Sequence, residues 1–131
     1  IEQAPYGLNS ALQQATIWLR QNGATSFLIL PSDLPKLTLL DLQLFIPSAC
    51  DRILIATDRA NEGTNALYLP PNTNINYQFG NHSRVLHIAE AEKHGIVTQV
   101  IHSPRIAFDL DTVDDYIEWM INQGDPPSWT M

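Results

Sequence analysis

Phe27-Leu28-Ile29-Leu30-Pro31-Ser32-Asp33-Leu34-Pro35 is a short apolar run that breaks into a proline-bounded turn carrying one carboxylate. Four consecutive apolar residues between turn formers read as a strand covered on both faces. The prolines fix φ and remove donors, so Ser32 and Asp33 are held in a rigid turn at the strand's exit. The pattern recurs in Ile106-Ala107-Phe108-Asp109-Leu110-Asp111-Thr112, which again precedes a helix. Residues two apart in extended chain point to one side, so Asp109 and Asp111 present a pair of carboxylates. Open α/β sheets bind ligands beyond the carboxyl ends of their strands, and a parallel sheet would deliver all three aspartates there.

Like charges placed together are costly unless a cation neutralises them, and oxygen-only ligands suit Mg²⁺. Two plainer readings stay open. Asp33 alone serves equally well as a turn or helix-entry residue, and Asp111 or Thr112 as a cap of the following helix.

Outward from these stretches, helices and strands alternate. Leu8, Ala11, Leu12, Ala15 and Leu19 fall at helical spacing up to Gln21, and Asn22-Gly23 is a stop. Thr38 opens a second short helix ended by Pro47, and Arg52–Thr57 and Ala66–Leu69 read as strands. Pro70 to Asn74 must be a loop, and Asn76–Phe79 reads as a short strand. Ser83–His94 reads as a helix with Leu86, Ala89 and Ala91 inward, followed by a strand over Ile96–Ile101. Thr112 and Asp115 form a capping box, Tyr116, Ile117, Met120 and Ile121 give the last helix an apolar face, and Gly124 to Pro127 stops it. This order predicts an α/β fold, a mostly parallel sheet with helices on both faces, in a single domain spanning 1–131. The chain opens on a helix, however, and no GxGxxG or GxxxxGK[ST] phosphate loop is present.

Composition narrows the partners. The 131 residues carry a net charge of −7, with 14 acidic against 7 basic side chains, which disfavours nucleic acid. A small phosphorylated ligand is not excluded, because a bound cation dominates its local field. The single Cys50 allows no internal disulfide, no apolar run reaches membrane-spanning length, and the expected location is cytoplasmic.

Two glycine turns are candidate anion sites. Glu62-Gly63-Thr64-Asn65 offers backbone N–H groups, a hydroxyl and an amide at a loop-to-strand junction, although such turns are common. Phe79-Gly80-Asn81-His82-Ser83-Arg84 runs into a helix N-terminus, where Ser83 would cap or ligate and Arg84 could lend charge. The four histidines lack metal-ligand spacing and read as surface or capping residues. No G-x-S-x-G elbow supports a serine hydrolase at Ser32 or Ser83. Trp18, Tyr116 and Trp119 read as packing residues, and Trp129 lies beyond the last helix stop.

Taken in order, five segments resemble the CofC/FbiD family over nearly the whole chain. They are Gly7-Leu8-Asn9-Ser10-Ala11-Leu12, Leu30 to Pro35, Gly63-Thr64-Asn65-Ala66-Leu67, Phe79-Gly80 with Ser83, and Phe108 to Thr112. Members of that family are 2-phospho-L-lactate or phosphoenolpyruvate guanylyltransferases of deazaflavin coenzyme F(420) biosynthesis. The resemblance implies a three-layer α/β/α sandwich of the nucleotidyltransferase type, MobA-like and glycosyltransferase-A-like. It implies that Asp33, Asp109 and Asp111 are catalytic, holding Mg²⁺ against the phosphates of GTP. It further implies that Thr64, Gly80 and Ser83 bind a small phosphorylated three-carbon acid, with Asn9, Pro31 and Ser32 near the nucleoside. Another MobA-like nucleotidyltransferase, or a truncated anion-binding relative without catalysis, fits the same resemblance.

In that family a first strand and a basic, glycine-containing loop precede the helix that begins here near Gly7. The chain is therefore expected to be the C-terminal two-thirds of a longer domain lacking its N-terminal strand. Expected partners are GTP and the phosphorylated acid, with no nucleic acid or membrane. A homodimer or a missing N-terminal segment is also expected.

Overall fold

A computed structural model describes residues 4–45, 51–110 and 112–122; Pro47, Cys50, Asp111, the Gly124 to Pro127 stop and Trp129 lie outside the described residues. In chain order the elements are α1 (Ala4–Gln21), β1 (Phe27–Ile29), α2 (Leu39–Gln43), β2 (Ile53–Ala56), β3 (Ala66–Leu69), α3 (Ser83–Lys93), β4 (Thr98–Ile101), α4 (Pro104–Ala107) and α5 (Val113–Asn122). The short α4, entered through Ser103 as N-cap and Pro104, has no counterpart in the sequence reading. No helix among the described residues is long and apolar enough to cross a membrane.

The fold class is α/β, but the sheet is mixed rather than mostly parallel. Its order is β1-β3-β2-β4, with β3 antiparallel to both neighbours and only β2 and β4 parallel. The cause is the connection between β2 and β3. Residues 57–65 form a loop without a helix, and a short return of that kind reverses the chain, whereas a parallel partner needs a crossover. Reversing β3 leaves the strand exits together. Ile29 at the end of β1 pairs with Leu67, and Ala56 at the end of β2 pairs with both Ala66 and Ile101, the end of β4. Three strands therefore finish at the sheet edge where β3 begins.

Alternation along β2 fills both faces of the sheet. Ile53 and Ile55, both without solvent exposure, join Leu67, Leu69, Ile75, Tyr77 and Ala91 on one face. Leu54 and Ala56 join Leu34, Phe45, Ala66 and Ile106 on the other.

Residues 73–79 lie outside the sheet, in place of the short strand expected over Asn76–Phe79. This strip hydrogen-bonds instead to polar side chains on α1 and, through the Asn76 and Gln78 N–H groups, to Glu90 and His87 of α3. Asn9 Nδ2 donates to the Phe79 carbonyl at 3.0 Å, and its Oδ1 accepts the Phe79 N–H at 2.8 Å. One turn on, Gln13 donates to the Ile75 carbonyl and accepts from the Tyr77 N–H. Arg20 donates to the Thr73 carbonyl and to Asn74 Oδ1. Thr16 gives its own hydrogen to the Leu12 carbonyl, so the buried Tyr77 hydroxyl is the donor in their 2.6 Å contact.

Two helices present different faces from those expected. In α3 the inward residues are Ser83, His87, Glu90 and Ala91, while Leu86 is 43% exposed and Ala89 is exposed. In α5 the Thr112–Asp115 capping box forms, yet Tyr116, Ile117, Met120 and Ile121 are all exposed. Arg59 docks α5 instead, pairing with Asp115 and Glu118 at 2.9 Å each.

Candidate active site

The β1 exit delivers Asp33 to the edge where the strands end, and a backbone hydrogen bond fixes its neighbour. The Leu110 N–H donates to the Asp33 carbonyl at 3.1 Å, which brings the Asp109-Leu110 segment against the Pro31–Pro35 turn. Asp33 and Asp109 are both partly buried and both engaged within the fold. Asp111, the third expected ligand, lies outside the described residues. Among the described residues no group of three His, Cys, Asp or Glu side chains is placed to hold a metal ion. Asp33 and Asp109 offer carboxylate oxygen alone, a donor type that fits Mg²⁺.

Beside this junction is a cleft of about 400 Å³ lined by Ser32, Asp33, Leu34, Pro35, Leu37, Leu110 and Trp119, within the range of small-ligand sites. The buried Trp119 Nε1–H on its wall has no acceptor among the described residues. An unsatisfied buried donor costs on the order of 1–3 kcal/mol. Two cations approach the same region through Phe108, whose ring lies 4.1 Å from Lys36 Nζ and 4.6 Å from the Arg59 guanidinium carbon.

Thr64, two residues before β3, and Ser83, at the start of α3, meet at this edge of the sheet. The Ser83 hydroxyl donates to Thr64 Oγ1 at 3.0 Å, with Thr64 8% exposed and Ser83 2%. Three residues before Ser83, Gly80 adopts φ 130°, a conformation that favours glycine. The N-cap of α3 is His82, whose side chain makes no capping bond, so Ser83 acts through Thr64 and not as the cap. Arg84 braces the preceding loop, its Nε donating to the Asn61 carbonyl at 2.8 Å and its N–H to the Glu62 carbonyl at 3.0 Å. Gly63 packs closely on Asp58: a Cβ there would meet Asp58 Oδ2 at 2.7 Å, while Asp58 Oδ1 accepts the Glu62 N–H. Asn9 is brought to the same corner, where its amide holds the backbone of Phe79, one residue before Gly80.

Two buried groups escaped the sequence reading. His87, expected at the surface or in a cap, has no solvent exposure; its Nδ1 lies 3.0 Å from Thr64 Oγ1 and its Nε2 2.9 Å from the Gln78 N. Burial pushes its pKa down to about 4, against the pull of the Ser83 carbonyl and Glu90, so the ring is neutral at pH 7. Its spacing of four from Ser83, placing both on one helix face, was the available signal. Asp41, 1% exposed, joins α2 to α4 through Arg105 Nε at 2.9 Å, Ser103 Oγ at 3.2 Å and the Thr38 hydroxyl and N–H. Burial pushes the Asp41 carboxyl up, but Arg105 and Thr38 outweigh it and hold the pKa at about 2. The Thr38-x-x-Asp41 capping box was legible in the sequence; the partner 64 residues away was not.

The class is α/β, with a mixed four-stranded sheet whose strand exits carry the joined Asp33 and Asp109 turns. A sequence model of the family "Guanylyl transferase CofC like" matches residues 1–128, and the chain belongs to that family. It is 34% identical over 117 residues to a phosphoenolpyruvate guanylyltransferase of Rubrobacter xylanophilus, covering 88% of this chain and 57% of that protein. It is 33% identical over 111 residues to a 3-phospho-D-glycerate guanylyltransferase of Colwellia psychrerythraea, covering 83% and 52%. A 2-phospho-L-lactate guanylyltransferase of Methanobrevibacter ruminantium is 34% identical over 115 residues, covering 88% and 48%. The chain thus spans about half the length of the curated relatives it matches.

Proposed function

We propose that this chain forms part of a Mg²⁺-dependent guanylyltransferase joining GMP from GTP to a small phosphorylated three-carbon acid. The observation that carries the reading is the Leu110–Asp33 backbone bond, which unites the two carboxylate-bearing turns beside a cleft of about 400 Å³. The family membership and the names of the relatives support the reaction class. The domain is of the three-layer, MobA-like nucleotidyltransferase type in this reading, and the enzyme is cytoplasmic and serves coenzyme F(420) biosynthesis.

A phosphate oxygen of the acid attacks the α-phosphorus of GTP. The bond from that phosphorus to the bridging oxygen breaks, and pyrophosphate leaves. The nucleophile is a phosphomonoester whose second pKa is about 6, so it arrives ionised and no general base is required. Catalysis is then alignment plus electrostatics. Asp33, Asp109 and Asp111 would hold Mg²⁺, which when bound neutralises charge on the polyphosphate. Thr64 and Ser83, with the Gly80 turn, take the acid. Asn9 and the Pro31–Ser32 turn flank the nucleoside, Asn9 through the Phe79 backbone it grips.

Pyrophosphate release from GTP by the full-length protein tests this, with phosphoenolpyruvate, 3-phosphoglycerate and 2-phospholactate each offered with and without Mg²⁺. Release that needs both the acid and the metal is expected; no release with any acid would refute it.

A further inference from the structure

The proposed reaction leaves unused a buried imidazole directly behind the acceptor residues. A backbone N–H can only donate, so His87 Nε2, 2.9 Å from the Gln78 N, must be the bare acceptor nitrogen. The neutral ring then carries its proton on Nδ1, 3.0 Å from Thr64 Oγ1. The same oxygen accepts the Ser83 hydroxyl at 3.0 Å. Both lone pairs of the Thr64 oxygen are thereby occupied, and its own hydrogen must point in the remaining direction.

We infer that His87 is a positioning residue that makes the Thr64 hydroxyl a fixed donor toward the anionic group of the phosphorylated acid. This rests on the reading of Thr64 and Ser83 as acceptor-binding residues. A threonine hydroxyl free to rotate would offer a lone pair to the anion as readily as a proton, whereas a locked donor is organised before substrate arrives. The ring itself is held. Phe79 packs edge-on against it with centroids 4.8 Å apart, and Asn9 clamps both the N–H and the carbonyl of Phe79. Orientation therefore passes from α1 through the 73–79 strip to His87, and from His87 to Thr64. Burial that keeps the imidazole neutral keeps this single proton arrangement at physiological pH.

The test uses the full-length protein. Long-range ¹H–¹⁵N spectra at neutral pH should show His87 with a protonated Nδ1 and a bare Nε2; the opposite tautomer or an imidazolium overturns the inference. In kinetics, His87→Gln loses the donor to Thr64 and should raise KM for phosphoenolpyruvate roughly tenfold while KM for GTP changes by less than about twofold. His87→Asn, whose amide reaches the Nδ1 position, should recover most of that loss. Thr64→Val combined with His87→Gln should be no worse than Thr64→Val alone, because the two act as one unit. An unchanged KM, an equal rise in both KM values, or additive losses would overturn the assignment. Should the unmutated protein release no pyrophosphate with any acid, the guanylyltransferase reading fails by itself. Calorimetric Kd values for phosphoenolpyruvate then decide the role of His87: weakening of roughly tenfold in His87→Gln supports it, and equal affinity or no binding to the unmutated protein overturns it.

Discussion

The Leu110 N–H and the Asp33 carbonyl are 3.1 Å apart, so two turns separated by more than half the chain share one backbone hydrogen bond. Their side chains serve one ion in the proposed reaction. Asp33→Asn, Asp109→Asn and Asp111→Asn should each lower kcat by roughly 10³-fold or more, with little change in far-ultraviolet circular dichroism. Turnover retained by any one of them would remove that residue from the metal site.

Trp119 offers a complementary variant. Its buried Nε1–H has no acceptor among the described residues, so Trp119→Phe deletes an unsatisfied donor and keeps an aromatic ring. Thermal melting should be unchanged or slightly raised, while KM for GTP increases by roughly threefold to tenfold if that N–H meets the nucleotide. A melting temperature lowered by several degrees would mean that the indole already has a partner in the folded protein.

His87 should make the protein acid-labile in a defined window. Its folded pKa is about 4 against 6.5 for an unhindered imidazole. As pH falls, the unfolded chain takes up the proton first, so stability is complete above pH 6.5 and declines until pH 4. The loss should reach roughly 3 kcal/mol. Urea titrations between these limits should show the decline in the unmutated protein and a flatter profile in His87→Asn; identical profiles would contradict it.

Asp41 acts in the same direction at lower pH. Its folded pKa is about 2 against 3.8 in an ordinary carboxyl, so its contribution is complete above pH 3.8 and fades toward pH 2. Asp41→Asn should cost roughly 2 kcal/mol at neutral pH, moderated because Arg105 is half-exposed and regains water. The difference between variant and unmutated protein should vanish near pH 2, as followed by chemical denaturation. A difference that persists there would assign the loss to packing and not to charge.

Local order was largely legible. Apolar runs and stop signals located β1, β2, β3 and β4, and the Thr112–Asp115 spacing found a capping box that forms. Strand direction was not, because the loop over 57–65 reverses the chain without altering the apolar pattern that marks β3. Asn76–Phe79 resembled a short strand, yet its backbone N–H groups bond to side chains on α1 and α3. His87 and Asp41 were hidden for a common reason: a buried polar group is made acceptable by partners distant in sequence, Thr64 and Gln78 for one and Ser103 and Arg105 for the other. The carboxylates stood out because each follows an apolar run directly. The hydroxyls gained meaning only when α3 met the start of β3.

The ladder from Asn9 to Arg20 grips chiefly main-chain atoms of its neighbour, and those are common to every amino acid. Spacing along α1 thus behaves as a ruler for how many residues separate Thr73 from Gly80. Homologues should exchange side chains in this interval far more freely than they gain or lose a residue, since one insertion would shift Gly80 and His87 out of phase together.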